Sequence, residues 1–205
     1  MQSRDPYQSE IFFLGVQEID AEPLQEINEN LIRLEELSER NHPEFVIASL
    51  SVRWGKKFYL STGEVVNTPV NPNDFVEIVD YDPVRNSALA VGKTGPNEDM
   101  PFHWFSYRTF PHINGIAVVK LLVDIDIDKF VDIKSIDSEI KLFQPDIILN
   151  ILPHMKEGSS INLLGKGIAF YNNSFKDLFS ELIQFFKNLE SHLPKEESEQ
   201  KGADK

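Results

Sequence analysis

The run IAVVKLLVDI (116–125) constrains this chain more than any other stretch. A near-continuous series of Ile, Val, Leu and Ala has no polar face to give to water, so it reads as a strand covered on both sides at the centre of a sheet. Other β-rich runs surround it in sequence. EIFFLGV (10–16) is a short apolar run without helical period. FVIASLSVR (45–53) and KFYLS (57–61) flank a Trp-Gly-Lys turn and read as a hairpin that continues into Thr62-Gly63. DFVEIVDY (74–81) is entered through the turn-forming NTPVNPN, and INLLGKGIAFY (161–171) is read as one strand.

Helical periodicity separates these runs. Leu24, Ile27, Leu31, Leu34 and Leu37 recur at three- and four-residue spacing between Pro23 and about Arg40, with Asp20 placed as a cap. Residues 98–109 form a helix that ends before Pro111, and a short helix runs from Asp146 to about Met155, bent or ended by Pro153. From Ser174 to about Leu193, Phe175, Leu178, Phe179, Leu182, Phe186 and Leu189 make one apolar stripe. The alternation fits one α/β domain over 1–193, as a length of 205 residues also suggests, followed by a polar tail, 194–205, expected to be disordered.

Charge and composition narrow the function. The net charge is −13, with nine acidic and two basic residues between 17 and 44, so a phosphate backbone is repelled and nucleic acid is not an expected partner. The acidic helix is a solvated face or a docking surface for a basic partner. Without cysteine there is no thiolate nucleophile or Cys-based metal site, which fits a reducing compartment. No apolar run reaches the roughly 20 residues of a bilayer span, and the start MQSRDPYQSE carries no signal-like pattern, so a cytoplasmic location is expected.

Short motifs name no chemistry. The glycines of Gly165-Lys166-Gly167 lack the third glycine of a dinucleotide loop, where Phe170 stands. Asp124, Asp126 and Asp128 begin like a calcium loop, but Lys129 and Ser135 occupy positions that need Gly and Glu, so a strand with Asp on an exposed face is the better reading.

Order and spacing say more when taken together. ASLSVR, the hairpin to STG, DFVEIVD, PNEDMPFHWFSYRTFP, GIAVVKL and INLLGKGIAFYNNSFKDLFSEL resemble, over about residues 24–190, the class II aldolase/adducin family, which includes fuculose- and rhamnulose-phosphate aldolases. The resemblance implies a three-layer α/β/α sandwich around a mostly antiparallel central sheet, assembled as a homotetramer. It also implies a zinc held by three histidines. Here the corresponding positions carry Val118, Lys120 and Lys166, so zinc is expected to be absent and lyase activity lost.

The family's acid/base glutamate corresponds to Asp99, four residues before His103. Its phosphate-binding pairs correspond to Ala48-Ser49, Thr62-Gly63 and Asn97-Glu98, of which Thr62-Gly63 alone is kept. A carboxylate at Glu98 repels a phosphate by roughly 4 kcal/mol per charge pair at about 4 Å and an effective dielectric near 20.

The resemblance therefore gives Asp99 as the catalytic candidate and Ser49, Thr62, Gly63, Asn97, His103, Lys120 and Lys166 as binding candidates. Lys120 and Lys166 are expected to fill the metal's place as an ion-pair cluster with Asp99 or Glu98. A rival reading makes one lysine a Schiff-base nucleophile or an anion-binding group. His103 is a hydrogen-bonded packing residue or a ligand. A non-catalytic binding or assembly protein, taking a small anion or a protein partner, is the leading expectation. The alternative is a divergent lyase acting on a small carbonyl compound, metal-free or with metal on a rearranged set such as Asp99 and His103.

Overall fold

The computed structural model describes residues 9–37, 45–65, 68–122, 135–136, 144–156, 158–163 and 166–192. The Asp124–Asp126–Asp128 run, most of 125–145, His42 and the tail 194–205 lie outside them. Elements run in the order β1 (Glu10–Gly15), α1 (Ala21–Leu37), β2 (Phe45–Trp54), β3 (Lys57–Ser61), β4 (Phe75–Asp82), β5 (Ser87–Val91), α2 (Met100–Thr109), β6 (Gly115–Leu121), β7 (Ser135–Ile136), α3 (Pro145–Ile151), β8 (Ser160–Leu163), β9 (Gly167–Asn172) and α4 (Phe175–His192).

The described strands form one sheet in the order β1-β5-β4-β3-β2-β6-β9-β8-β7. The pairs β1·β5 and β7·β8 are parallel and the others antiparallel. The run that opens the sequence argument lies at the middle as β6, between β2 and β9. Its alternation explains the layers: Ile116 and Val118 join a core with α2 and α3, while Ala117 and Val119 join a second core with α1 and α4. Helices therefore cover both faces of a mostly antiparallel sheet, as expected.

Local chemistry sets the helix ends. Ser174 accepts a bond from the Asp177 backbone N–H at 3.0 Å and donates to its carboxylate at 2.6 Å, starting α4. The apolar stripe of α4 then packs Phe175, Leu178, Phe179, Leu182, Phe186 and Leu189 into the second core. Asp20 stands at the expected cap position, its carbonyl accepting the Leu24 N–H at 3.3 Å, while its side chain ties the start of α1 to β3: the carboxylate accepts from the Tyr59 hydroxyl at 2.6 Å and from Lys57 at 3.3 Å.

One expectation needs correction, and one strand was not read from the sequence. INLLGKGIAFY is not one strand but the antiparallel pair β8 and β9, because the chain reverses before Gly167. Gly167 has φ +133°, and a Cβ there would lie 2.2 Å from the Val119 carbonyl oxygen, so only glycine lets β9 meet β6 so closely. The segment SALAV, to which the sequence reading assigns no element, is β5, where the small residues Ala88 and Ala90 face the core and Leu89 is exposed.

One irregularity positions the site. In the β2·β6 ladder Ile47 pairs with Val119 and Ser49 with Val118, so Ala48 is an extra, bulged residue. Downstream of it, Leu50 and Val52 point into the α1/α4 core, and Ser49 and Ser51 point at α2.

Candidate functional site

A cleft of 390 Å3 opens beside the bulge, lined by Ala48, Gly63, Glu64, Asn97, Glu98, Asp99, Lys120 and Lys166. Its wall at the start of α2 is built by Asn97, which accepts a bond from the Asp99 backbone N–H at 3.1 Å. The Asn97 side-chain amide donates in turn to the Ala48 carbonyl and to Ser61 Oγ, each at 3.4 Å. Asp99 is the N-cap of α2, yet its side chain makes no cap bond and turns into the protein, where it is 2% exposed.

Charge in the cleft centres on Lys166. Its ammonium stands 2.6 Å from Glu98 Oε1 and 3.1 Å from Asp99 Oδ1. Burial works against the ammonium, but the two carboxylates outweigh it and hold Lys166 above the ordinary lysine range. For Asp99, burial raises the carboxyl above its ordinary range, against the pull of Lys166 and a hydrogen bond from Ser49.

Behind Asp99 lies a chain of buried polar groups. Ser49 Oγ donates to Asp99 Oδ2 at 3.1 Å and lies 2.9 Å from His103 Nε2. His103 Nδ1 lies 2.7 Å from Ser51 Oγ, which is 2.8 Å from the Tyr107 hydroxyl. Ser49, Ser51 and His103 are fully buried. Burial lowers His103 to about 3, so its ring is neutral at physiological pH, and burial also raises the Tyr107 phenol.

These placements sort the residues read from the sequence. Asp99, Asn97, Gly63, Lys120 and Lys166 meet at one cleft. Thr62 and Gly63 border an adjoining 220 Å3 cavity with Asp74 and Val70, and the Thr62 N–H bonds to the Asp74 carbonyl at 2.8 Å. Ser49 and His103 do not line the cleft; they are fully buried behind Asp99. Lys120 is exposed on the cleft rim and has no ion-pair partner among the described residues, so the ion-pair cluster contains Lys166 and not Lys120. Ser51 and Tyr107 were missed as members of this network. The signal was the period-two pair Ser49 and Ser51 on a strand whose other face carries Leu50 and Val52, since hydroxyls on a covered face need polar partners.

The donor set does not fit the family's zinc. Val118 is fully buried in the apolar core, Lys166 is held protonated between two carboxylates, and both ring nitrogens of His103 are taken by serines. The rearranged set of Asp99 and His103 fails for the same reason. Among the described residues no three His, Asp or Glu side chains converge to hold an ion.

No family model and no curated protein matches the sequence. Solved structures do match. An L-fuculose 1-phosphate aldolase superposes with a TM-score of 0.58 at 12% identity, covering 83% of this chain and 84% of that one. An aldolase II superfamily protein from Pseudomonas syringae gives 0.58 at 13% identity, over 84% of this chain and 74% of that one. A sugar-phosphate aldolase from Thermotoga maritima gives 0.55 at 12% identity, covering 85% and 97%. Sheet order, the two helical layers and these superpositions agree that the chain has a class II aldolase-like fold.

Proposed function

We propose that this protein is a non-catalytic member of the aldolase-like fold, which uses the old cleft to bind a small molecule and does no zinc-dependent carbon–carbon cleavage. The observation that carries this reading is Lys166, whose ammonium sits against Glu98 and Asp99 and supplies the positive charge that a metal would otherwise bring. A protonated lysine has no lone pair for a carbonyl, so Lys166 is a poor Schiff-base nucleophile in this state. Lys120 is the cation left to meet a ligand. With Glu64, Glu98 and Asp99 around it, the cleft suits a ligand of low negative charge better than a phosphate dianion.

Self-association is part of this proposal. Strand β1 is at one edge of the sheet, and Phe12, Leu14 and Val16 are 50%, 61% and 71% exposed. Large apolar side chains exposed at this end of the described sheet suit burial against a second copy.

The test is elemental mass spectrometry on tag-free protein, with zinc titration and dihydroxyacetone phosphate titration by calorimetry. The expected result is no stoichiometric metal, no tight zinc binding and no binding of the phosphate ester at millimolar concentration. One tightly held zinc or iron per chain, or aldol cleavage activity, would overturn the reading.

A further inference from the structure

The five groups Asp99, Ser49, His103, Ser51 and Tyr107 make four successive contacts of 3.1, 2.9, 2.7 and 2.8 Å. With Asp99 ionised and His103 neutral, these groups own four hydrogens: one each on Tyr107, Ser51, the imidazole and Ser49. Four hydrogens can fill four contacts in one way only, because the carboxylate at the end can only accept. Tyr107 then donates to Ser51, Ser51 to Nδ1, Nε2–H to Ser49, and Ser49 to Asp99 Oδ2. The other tautomer fails: with Nδ1–H, the single Ser49 hydrogen faces two acceptors, Nε2 and Oδ2, and one buried acceptor is left empty.

Protonating Asp99 reverses the count. Lys166 stands against Oδ1, so the proton goes to Oδ2, facing Ser49. Five hydrogens then meet four contacts; because Ser49 and Ser51 are fully buried, a surplus hydrogen on either would have no acceptor, and the arrangement that leaves it at the end of the chain has Ser49 donating to Nε2, Nδ1–H to Ser51, and Ser51 to the Tyr107 oxygen. The Tyr107 hydroxyl hydrogen is freed. Tyr107 lines a second groove of 470 Å3, with Arg53, Lys56, Lys57, Trp104 and Arg108.

We infer that the tautomer of His103 is set by the protonation state of Asp99, and that the chain carries this state from the cleft to Tyr107 at the second groove. His103, Ser49 and Ser51 are positioning residues in this relay: they orient hydrogens and never gain net charge. The groups facing the relay are Lys166 and Glu98 near Asp99, Lys120 on the cleft rim, and the Arg53 guanidinium, 4.7 Å over the Tyr107 ring. The inference does not depend on what occupies the cleft or on whether the protein is an enzyme.

The test is long-range 15N–1H NMR on the imidazole of His103 in the full-length, ligand-free protein. Near neutral pH the wild-type ring is expected as Nε2–H, switching to neutral Nδ1–H as Asp99 takes its proton on acidification. In Asp99→Asn the amide nitrogen replaces Oδ2 and donates to Ser49, so Nδ1–H is expected at neutral pH. Nδ1–H in the wild type at neutral pH, the same tautomer in wild type and Asp99→Asn, or direct passage to imidazolium on acidification would each overturn the inference. Should Asp99→Asn fail to fold, the wild-type tautomer at neutral pH and its course on acidification decide alone.

Discussion

Lys166 holds its ammonium 3.1 Å from a carboxylate of Asp99 that is almost sealed from water, although the two residues are far apart in the chain, one before β9 and one at the start of α2. Removing the cation leaves the buried carboxylate uncompensated. Lys166→Met is expected to lower stability at pH 7 by about 3 kcal/mol, the scale for breaking a buried pair at one end. In Lys166→Met/Asp99→Asn much of that loss is expected to return. Urea unfolding of the two single variants and the double variant checks this, and additive losses would show that the two groups are not coupled.

His103 makes stability depend on pH. Its native value, about 3, lies below the unfolded value of about 6.5, so between those limits the unfolded chain binds a proton that the native ring refuses. Stability from this group is present above about 6.5 and is lost on acidification, at about 1.4 kcal/mol per pH unit. Asp99 works with the opposite sign: its raised native value lets the folded state keep a proton, so its contribution falls as pH rises through that native value. Comparing Asp99→Asn with Asp99→Asn/His103→Gln removes the opposing group. The first is expected to show the steeper decline in urea midpoint below pH 6.5, and equal slopes would contradict a neutral buried ring.

Gly167→Ala puts a methyl group 2.2 Å from the Val119 carbonyl oxygen, at φ +133°. Strain and overpacking together are expected to cost about 3 kcal/mol or more. Hydrogen exchange should locate the damage in β9 and the neighbouring half of β6. A change confined to other strands would separate the glycine from that close approach.

Reductive methylation distinguishes the two lysines of the cleft. Lys120 is exposed and should react as a free surface amine, whereas Lys166, 21% exposed and paired with two carboxylates, should react several-fold more slowly. Peptide mass spectrometry after short exposure reads both rates. Equal reactivity would mean that the ion pairs around Lys166 do not persist in solution.

At the sheet edge, Phe12→Lys combined with Leu14→Lys adds charge where β1 exposes apolar surface. Sedimentation velocity is expected to show a wild-type oligomer that shifts to monomer in the variant. A wild-type monomer at tens of micromolar would remove self-association from the proposal.

Strong periodicity made most of the frame legible. The two-sided apolar run gave β6, the three- and four-residue spacing gave α1 and α4, and the Gly55 turn, with φ +67°, gave the β2–β3 hairpin. The strands that escaped are those whose pattern is weak. SALAV carries two alanines and an exposed leucine, and INLLGKGIAFY is apolar on both sides of a reversal marked only by glycines. In the site, Asp99 and Lys166 were named as possible partners from spacing against a resemblance. Ser51 and Tyr107 were not, because their roles arise from the crossing of α2 over β2, a tertiary contact that no local pattern encodes.

The extra residue at Ala48 has a consequence for how such a protein can change over generations. A regular ladder ties every insertion to a half-turn of all that follows, but here Ile47 and Ser49 already sit against consecutive residues of β6. Losing or replacing Ala48 would redraw the cleft edge, where its carbonyl takes the Asn97 amide, and leave each downstream side chain on its own face. The cleft edge can therefore vary by loss or replacement of this residue while the sheet's interior keeps its phase.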